Sequence, residues 1–327
     1  MLIFLAAVGC APKGPSAPTE TAEVAPEPVR LELPEQAAAP QACSVRNAAR
    51  AMELLPAGLP VLARVDVSSL RGSPLWGPIR QALATDLPEA LQDGPGGCGV
   101  TLEDFYEVGF AFDTETEELV IVIAAQGIGV PDTARCIIQA LEDGDAEQPA
   151  EPITGPVPVT GDPGLGVFAL DEGAAYLVTP DLVALVSEVH RGSFEARSRC
   201  EGTPGIAEPG RTRGIDPRSS AWIAGTLDQS MRDDLQADMA GILDFGLSVD
   251  VREGLLVSVR GGFEEPAQAQ ALIDQATAML PMFGAMVPGL EAATQRAELE
   301  AREREAFMSM SLTTAELEAL ALQLGQL

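Results

Sequence analysis

The chain has 327 residues, 49 acidic side chains against 20 basic ones, a formal net charge of −29 and an apolar fraction of 46%. The length accommodates one large domain or two modest ones, and so strong an acidic excess repels phosphate backbones and anionic lipid surfaces. One lysine, Lys13, and one histidine, His190, exclude a phosphate-cradling G-x-x-x-x-G-K-[ST] loop, a Ser-x-x-Lys nucleophile and a lysine Schiff base, so no nucleotide, nucleic acid or cofactor is expected.

Residues 1–9 read MLIFLAAVG and lead directly into Cys10. So short an apolar run cannot span a bilayer, which takes about 20 residues. The tetrapeptide Ala7-Val8-Gly9-Cys10 resembles the lipobox that ends a bacterial lipoprotein signal peptide. That resemblance implies cleavage before Cys10, acylation of Cys10, and a protein held on a membrane by its lipid; Ala11, in place of a retaining aspartate, implies the outer membrane. Two or three acyl chains anchor a protein where one barely does, at about 0.8 kcal/mol per buried CH₂.

Residues 10–42 follow as a tether. Positions 11–42 hold seven prolines and eight alanines with no apolar periodicity, a composition that favours extended chain with a rise of about 3 Å per residue. The folded part is expected from residue 43 onward: a first half at 43–192, a polar connection at 193–214 and a second half at 215–327. Four cysteines, Cys43, Cys98, Cys136 and Cys200, lie in it with no C-x-x-C pair. An even count in an exported domain favours two disulfides over zinc or redox chemistry. Four cysteines allow three connectivities, of which Cys43–Cys98 with Cys136–Cys200 is the expectation.

Taken in chain order, Val61 to Val67 alternates at period two and predicts a strand. Val108 to Asp113 and Leu119 to Ala125 predict a hairpin, and Pro131-Asp132 opens a helix carrying Cys136, Ile137, Ile138 and Leu141. Gly166 to Asp171 and Ala174 to Thr179 predict two more strands, and Pro180 to Val189 a helix closed by Gly192. The pattern then returns. Ala221 to Leu227 matches the first strand, Phe245 to Asp250 and Leu255 to Gly261 the hairpin, and a helix starts near Pro266. Within 290–305, charge pairs such as Glu298/Arg302 argue for helix, yet the alternation of Ala297, Leu299 and Ala301 makes at least its second part a strand. Ala306 to Leu312 is a strand, and Thr313 or Thr314 caps a last helix that runs to Leu324. The expected fold is α+β: two repeated β-α-β-β-α-β-β-α halves, mainly antiparallel sheets with helices packed on one face. These halves resemble the repeat-built domains of other exported lipoproteins, which implies nothing about chemistry.

Few side chains suggest a site. His190, read as the last turn before a glycine cap, complements a helix dipole more readily than it catalyses. Asp113, Glu115 and Glu117 crowd a hairpin turn with Glu118, but lack the spaced ligands of a calcium loop; a second acidic stretch, Glu142 to Glu147, lacks them too. Trp76 and Trp222 read as core anchors. Residues 281–290, with Met282, Phe283, Met286 and Val287, read as a segment folding onto its own core or as a docking loop, since Met and Phe adapt to irregular surfaces.

The residues therefore point to a membrane-tethered cell-envelope protein that binds or scaffolds an envelope protein partner without catalysis. One alternative is a carrier of an apolar ligand in a groove between the halves. Another is a carboxylate-based hydrolase of envelope polymers, for which two facing acids are required.

Overall fold

The computed structural model describes residues 48–84, 97–113, 116, 118–143, 166–170, 173–198, 201, 205–207, 214–229, 232, 241–286 and 289–324, all belonging to one compact unit, Pro34–Leu327. Strands β1 (Val61–Asp66), β2 (Phe105–Phe112) and β3 (Leu119–Ala125) form where apolar residues alternate or run together. They are followed by β4 (Gly166–Leu170), β5 (Gly173–Thr179) and β6 (Leu182–Ser187). The later strands are β7 (Ala221–Thr226), β8 (Ile242–Asp250), β9 (Leu255–Phe263), β10 (Glu298–Arg302) and β11 (Glu305–Leu312). All pair antiparallel in one 11-stranded sheet of order β10-β11-β9-β8-β7-β1-β2-β3-β6-β5-β4. Where separate sheets were expected, the β1–β7 pair makes one.

Helices α1 (Val67–Arg71) and α2 (Trp76–Ala84) follow β1, and α3 (Pro131–Asp143) follows β3. Asp66 caps α1 by accepting the Ser69 amide at 3.0 Å. Beyond β6 comes α4 (Arg191–Ser198), and in the later part α5 (Pro266–Met286), α6 (Glu291–Gln295) and α7 (Thr314–Leu324). At the start of α7 the expected threonine cap is present as a reciprocal pair. The Thr313 hydroxyl accepts the Glu316 amide at 3.3 Å, and the Glu316 carboxylate accepts the Thr313 amide at 2.8 Å, a capping box.

Three expectations are corrected. Residues 182–187 form strand β6 where a helix from Pro180 to Val189 was expected. Leu182-Val183-Ala184-Leu185-Val186 is apolar on both faces, and such a short run cannot be assigned by periodicity; it lies between β3 and β5 and is covered on both sides. The helix begins only at Arg191, so Gly192 lies in its first turn and caps nothing at its end.

Secondly, helical segments cover both faces of the first part of the sheet. On one face Ala134, Ile137 and Ile138 of α3 pack over Phe168, Ala175, Leu177 and Val183. On the other, the 3-10 helix Ala48–Leu54 and Phe194 of α4 pack over Leu62, Val120, Val122, Tyr176 and Ala184. Strands apolar on both sides need a cover on each.

The third correction concerns the cysteines. Cys98 bonds Cys136, with a Cα–Cα distance of 5.6 Å, in place of the expected Cys43–Cys98 and Cys136–Cys200 pairs. Val100 and Phe105, just past Cys98, share a cluster with α3, which brings the chain entering β2 alongside Cys136. Linear spacing carried no sign of that proximity. Cys43 and Cys200 lie outside the described residues.

Candidate functional site

Strand register alone assembles the site. On the face that carries α3, α5 and α7, one side chain from every strand stands in a single row across the sheet, and all of them are apolar. At one end Phe168, Ala175 and Leu185 lie beneath α3. At the other end Met308 and Leu299 lie beneath Ala269, Leu272 and Ile273 of α5. Between them stand Ile121, Phe110, Ala63, Ile223, Leu247 and Val259, paired in that order from β3 to β9. Ala63 is buried and the other five are partly buried; among the described residues these six join none of the apolar clusters beneath the helices.

A second apolar row flanks this one toward the start of β1, with Phe112, Val61 and Phe245 on the same face. The Phe110 and Phe112 rings stack with centroids 6.2 Å apart. Gly225 is required here, because a Cβ would meet Val61 Cγ2 at 2.9 Å and the Phe245 ring at 3.0 Å. Leu119 extends the surface and is 36% exposed. At the opposite end of the strands α1 and α2 close the face. Val67 and Trp76 join the cluster of Val65 and Val108, while Leu70, Leu75 and Ile79 join that of Val249 and Val257. Among the described residues the result is an apolar strip bounded by α3, by α5 with α7, and by α1 with α2.

The reverse side of β8, β9 and β11 mixes polar side chains with Leu256 and Phe307. Ser248 and Arg260 are buried there, and Arg260, 5% exposed, donates to Asp244 and Glu305. Trp222, on that side of β7, is 3% exposed and its indole donates to the Pro217 carbonyl at 3.2 Å. Trp76 is partly buried and donates to Glu103 at 3.1 Å. Both tryptophans act as anchors.

The other expected positions fall outside the strip's centre. His190 ends a 3-10 turn ahead of α4, so it does not serve a helix C-terminus; its Nε2 lies 3.2 Å from Glu118 Oε2 instead. Asp113 sits at the β2–β3 turn, where its amide donates to the Glu118 carbonyl at 2.9 Å. Glu115 and Glu117 lie outside the described residues, and among the described residues no three potential ligands gather as a metal site. Residues 281–286, read as a segment folding onto its own core or as a docking loop, continue α5 through Pro281. Met282 is 51% exposed and Met279 38%; Phe283 and Met286 share the helix, and Val287 lies outside the described residues. Cys10 and the tether also lie outside them. Among the described residues no helix is long and apolar enough to cross a membrane.

Two features of the sequence could have revealed the six central positions. Each occupies an apolar phase of its strand, and in β8 and β9 the opposite phase carries Asp244, Ser248, Ser258 and Arg260. What could not be read was the strand order that aligns them.

No protein-family model and no curated protein matches the chain. Among solved structures, crystal form I of TP0453 aligns with a TM-score of 0.46 and 10% identity, covering 84% of this chain and 96% of that one. Crystal form III of the same protein gives 0.45 and 9%, covering 84% and 98%.

Proposed function

We propose that this chain is a membrane-tethered cell-envelope binding protein that carries an apolar molecule, seated on the strip that runs from Ile121 to Val259. The observation that carries this reading is the strip itself. Six neighbouring strands present apolar side chains on one face, and at about 4.8 Å per strand the strip is about 24 Å long. That exceeds one leaflet of a bilayer's hydrocarbon, about 15 Å, so a long hydrocarbon chain lies along it in full. Ligand sites are typically apolar, concave and bounded by secondary structure. Binding without chemistry also agrees with the shortage of lysine and histidine.

The same reading includes two repeated halves. Outward from the β1–β7 junction the strand order is β1-β2-β3-β6-β5 on one side and β7-β8-β9-β11-β10 on the other, with β4 as an addition at one edge. α3 follows the third strand of the first series and α5 that of the second. This correspondence supports a duplication, and it puts the strip at the junction of the two copies.

Acylation at Cys10 and an outer-membrane location complete the proposal, supported by the lipobox-like Ala7-Val8-Gly9-Cys10. Fluorescence titration with an environment-sensitive apolar probe tests the strip, with saturable binding displaced by a long-chain alcohol as the expected result. An absence of saturable binding refutes the carrier. Mass spectrometry of the mature N-terminus tests the tether, which an unmodified Cys10 contradicts.

A further inference from the structure

From the outward face of α5 we infer that this helix is an interface, and that its partner is α5 of a second copy of the chain, running antiparallel. The helix holds the sheet with one side only: Ala269 and Ile273 are buried and Leu272 is half-buried over β10 and β11. Ala271, Gln275, Ala278, Met282 and Ala285 lie on the opposite side and are exposed, with exposed Met279 beside them. Steps of four, three, four and three residues put those five in one seam, the spacing with which two helices interlock at a shallow angle. A surface helix carries charge on its outer face, as α3 does with Asp132, Arg135, Glu142 and Asp143. Along the 21 residues of α5 the one charged side chain is Asp274, on a flank that it shares with Pro281. The seam itself carries no charge.

Charge selects the occupant. A chain with a net charge of −29 repels its own copies. At a Debye length of about 10 Å that repulsion is weakest where the touching surfaces bring no charge. The seam is such a surface, about 21 Å long at about 1.5 Å per residue. Its alanines let two helix axes approach to about 8 Å, and its methionines adapt to the gaps between them. Antiparallel pairing about Ala278 sets Ala271 level with the partner's Ala285. The two Asp274 carboxylates then lie about 12 Å apart along the axis, whereas a parallel pair sets them level. A two-fold axis at Ala278 closes the assembly at two copies. A lipid surface fits this face less well. Helices that lie in a membrane interface carry Lys or Arg on the polar side and Trp among the apolar residues; α5 has none of the three. One helix width of contact falls short of the roughly 800 Å² per partner of a standard interface, so the dimer is a weak one.

The test combines sedimentation of the full chain with cross-linking through single introduced cysteines, both on a Cys10→Ser background. The expected result is a monomer–dimer equilibrium that shifts to dimer as the protein approaches about 0.5 mM. The dimer fraction rises between about 0.02 M and about 0.5 M salt, because screening relieves the repulsion between copies. Ala278→Glu, an exposed substitution whose folding is checked by its melting temperature, stays monomeric. Under mild oxidation a mixture of Ala271→Cys and Ala285→Cys chains is expected to cross-link at least about tenfold faster than Gln270→Cys, an exposed position off the seam. Ala271→Cys alone is expected to react no faster than that control. A chain that stays monomeric at every concentration and salt overturns the dimer, and so does a dimer that Ala278→Glu leaves intact. Ala271→Cys cross-linking to itself as fast as to Ala285→Cys overturns the antiparallel arrangement. A monomeric parent that binds phosphatidylcholine vesicles, with binding lost in Ala278→Glu, overturns the inference by giving this face to the membrane.

Discussion

Ala63 and Ile223 pair at the midpoint of the β1–β7 junction, with the register running from Val61↔Gly225 to Val65↔Ala221, two residues to either side of them. Both side chains lie on the strip. The junction therefore sits at the middle of the sheet and also at the middle of the row of six apolar side chains that defines the candidate site. A pairing centred in this way is what two copies of one strand produce when they meet edge to edge, and it supports the proposed duplication. It also explains why the strip lies where it does. The long helices settle on the outer strands, α3 over β4 to β6 and α5 over β10 and β11, and the strands nearest the junction fall between them.

Phe110 supplies a large apolar surface to the strip while remaining partly exposed, so its loss affects the ligand more than the fold. Phe110→Ser is expected to weaken binding of an apolar probe by about five- to thirtyfold, which corresponds to about 1–2 kcal/mol. The melting temperature of the ligand-free protein is expected to fall only slightly. Titration of variant and parent by the same probe checks this. Equal affinities place the probe elsewhere.

The Cys98–Cys136 bond spans 38 residues and ties the entry of β2 to α3. Cys98→Ser/Cys136→Ser is expected to lower stability by about 2–4 kcal/mol, the usual range for a bridge closing a loop of this order. Peptide mapping under non-reducing conditions is expected to recover Cys98 joined to Cys136. With those two paired, mapping of the oxidised chain is expected to recover Cys43 joined to Cys200. Described residues near each approach one another: Arg197 donates to the Glu53 carbonyl at 3.1 Å, and the Gly205 amide to that of Leu55 at 2.8 Å. Recovery of Cys43 joined to Cys98 contradicts the connectivity.

Glu316 accepts from the Arg296 guanidinium at 2.6 Å and from the Thr313 amide at 2.8 Å. The guanidinium first, and then the amide, hold its carboxyl down at about 2. A carboxyl depressed by folding stabilises the native state above its unfolded pKa and loses that contribution as pH falls through the folded value. The contribution of this cap is therefore expected to be complete above about pH 4.5 and to disappear toward pH 2. Thr313→Ala, which removes the hydroxyl of the cap, is expected to cost about 1 kcal/mol at neutral pH. Urea denaturation of Glu316→Gln and its parent at pH 7 and pH 2.5 checks the sign. The difference between them shrinks at the lower pH, and a difference that grows on acidification contradicts it.

Much of the fold was legible wherever one period dominated a segment. Val61 to Val67, Leu119 to Ala125 and Ala306 to Leu312 announce strands by alternation or β-branched content. Pro131-Asp132 and Thr313 announce helix starts by cap chemistry. Within 290–305, helix-forming charge pairs competed with alternation, and the chain uses both: helix at Glu291–Gln295 and strand at Glu298–Arg302. There Arg302 reaches Glu300 on the same side of the strand, at 2.6 Å, in place of its helical partner Glu298. Leu182 to Val186 was misread because burial on both faces erases period two. Residues 281–286, read as a segment on its own core or a docking loop, are the last turns of α5, which continues through Pro281.

The candidate site was legible only one residue at a time. Phe110, Ile223 and Leu247 are each an ordinary apolar position of an alternating strand. Their meaning depends on β1 meeting β7 and on β6 inserting between β3 and β5, and those are long-range pairings that local pattern does not encode. The cysteine pairing was hidden for the same reason.

The most direct measurement is native mass spectrometry of the full chain purified from its own membrane without added detergent ligand, followed by organic extraction and mass analysis of whatever is released. The expected result is a stoichiometric apolar adduct, lost on extraction and recovered as one class of long-chain molecule, and absent from a Phe110→Ser/Leu247→Ser variant prepared in the same way. A chain that emerges at its bare mass and takes up no apolar molecule when one is offered would contradict the carrier reading.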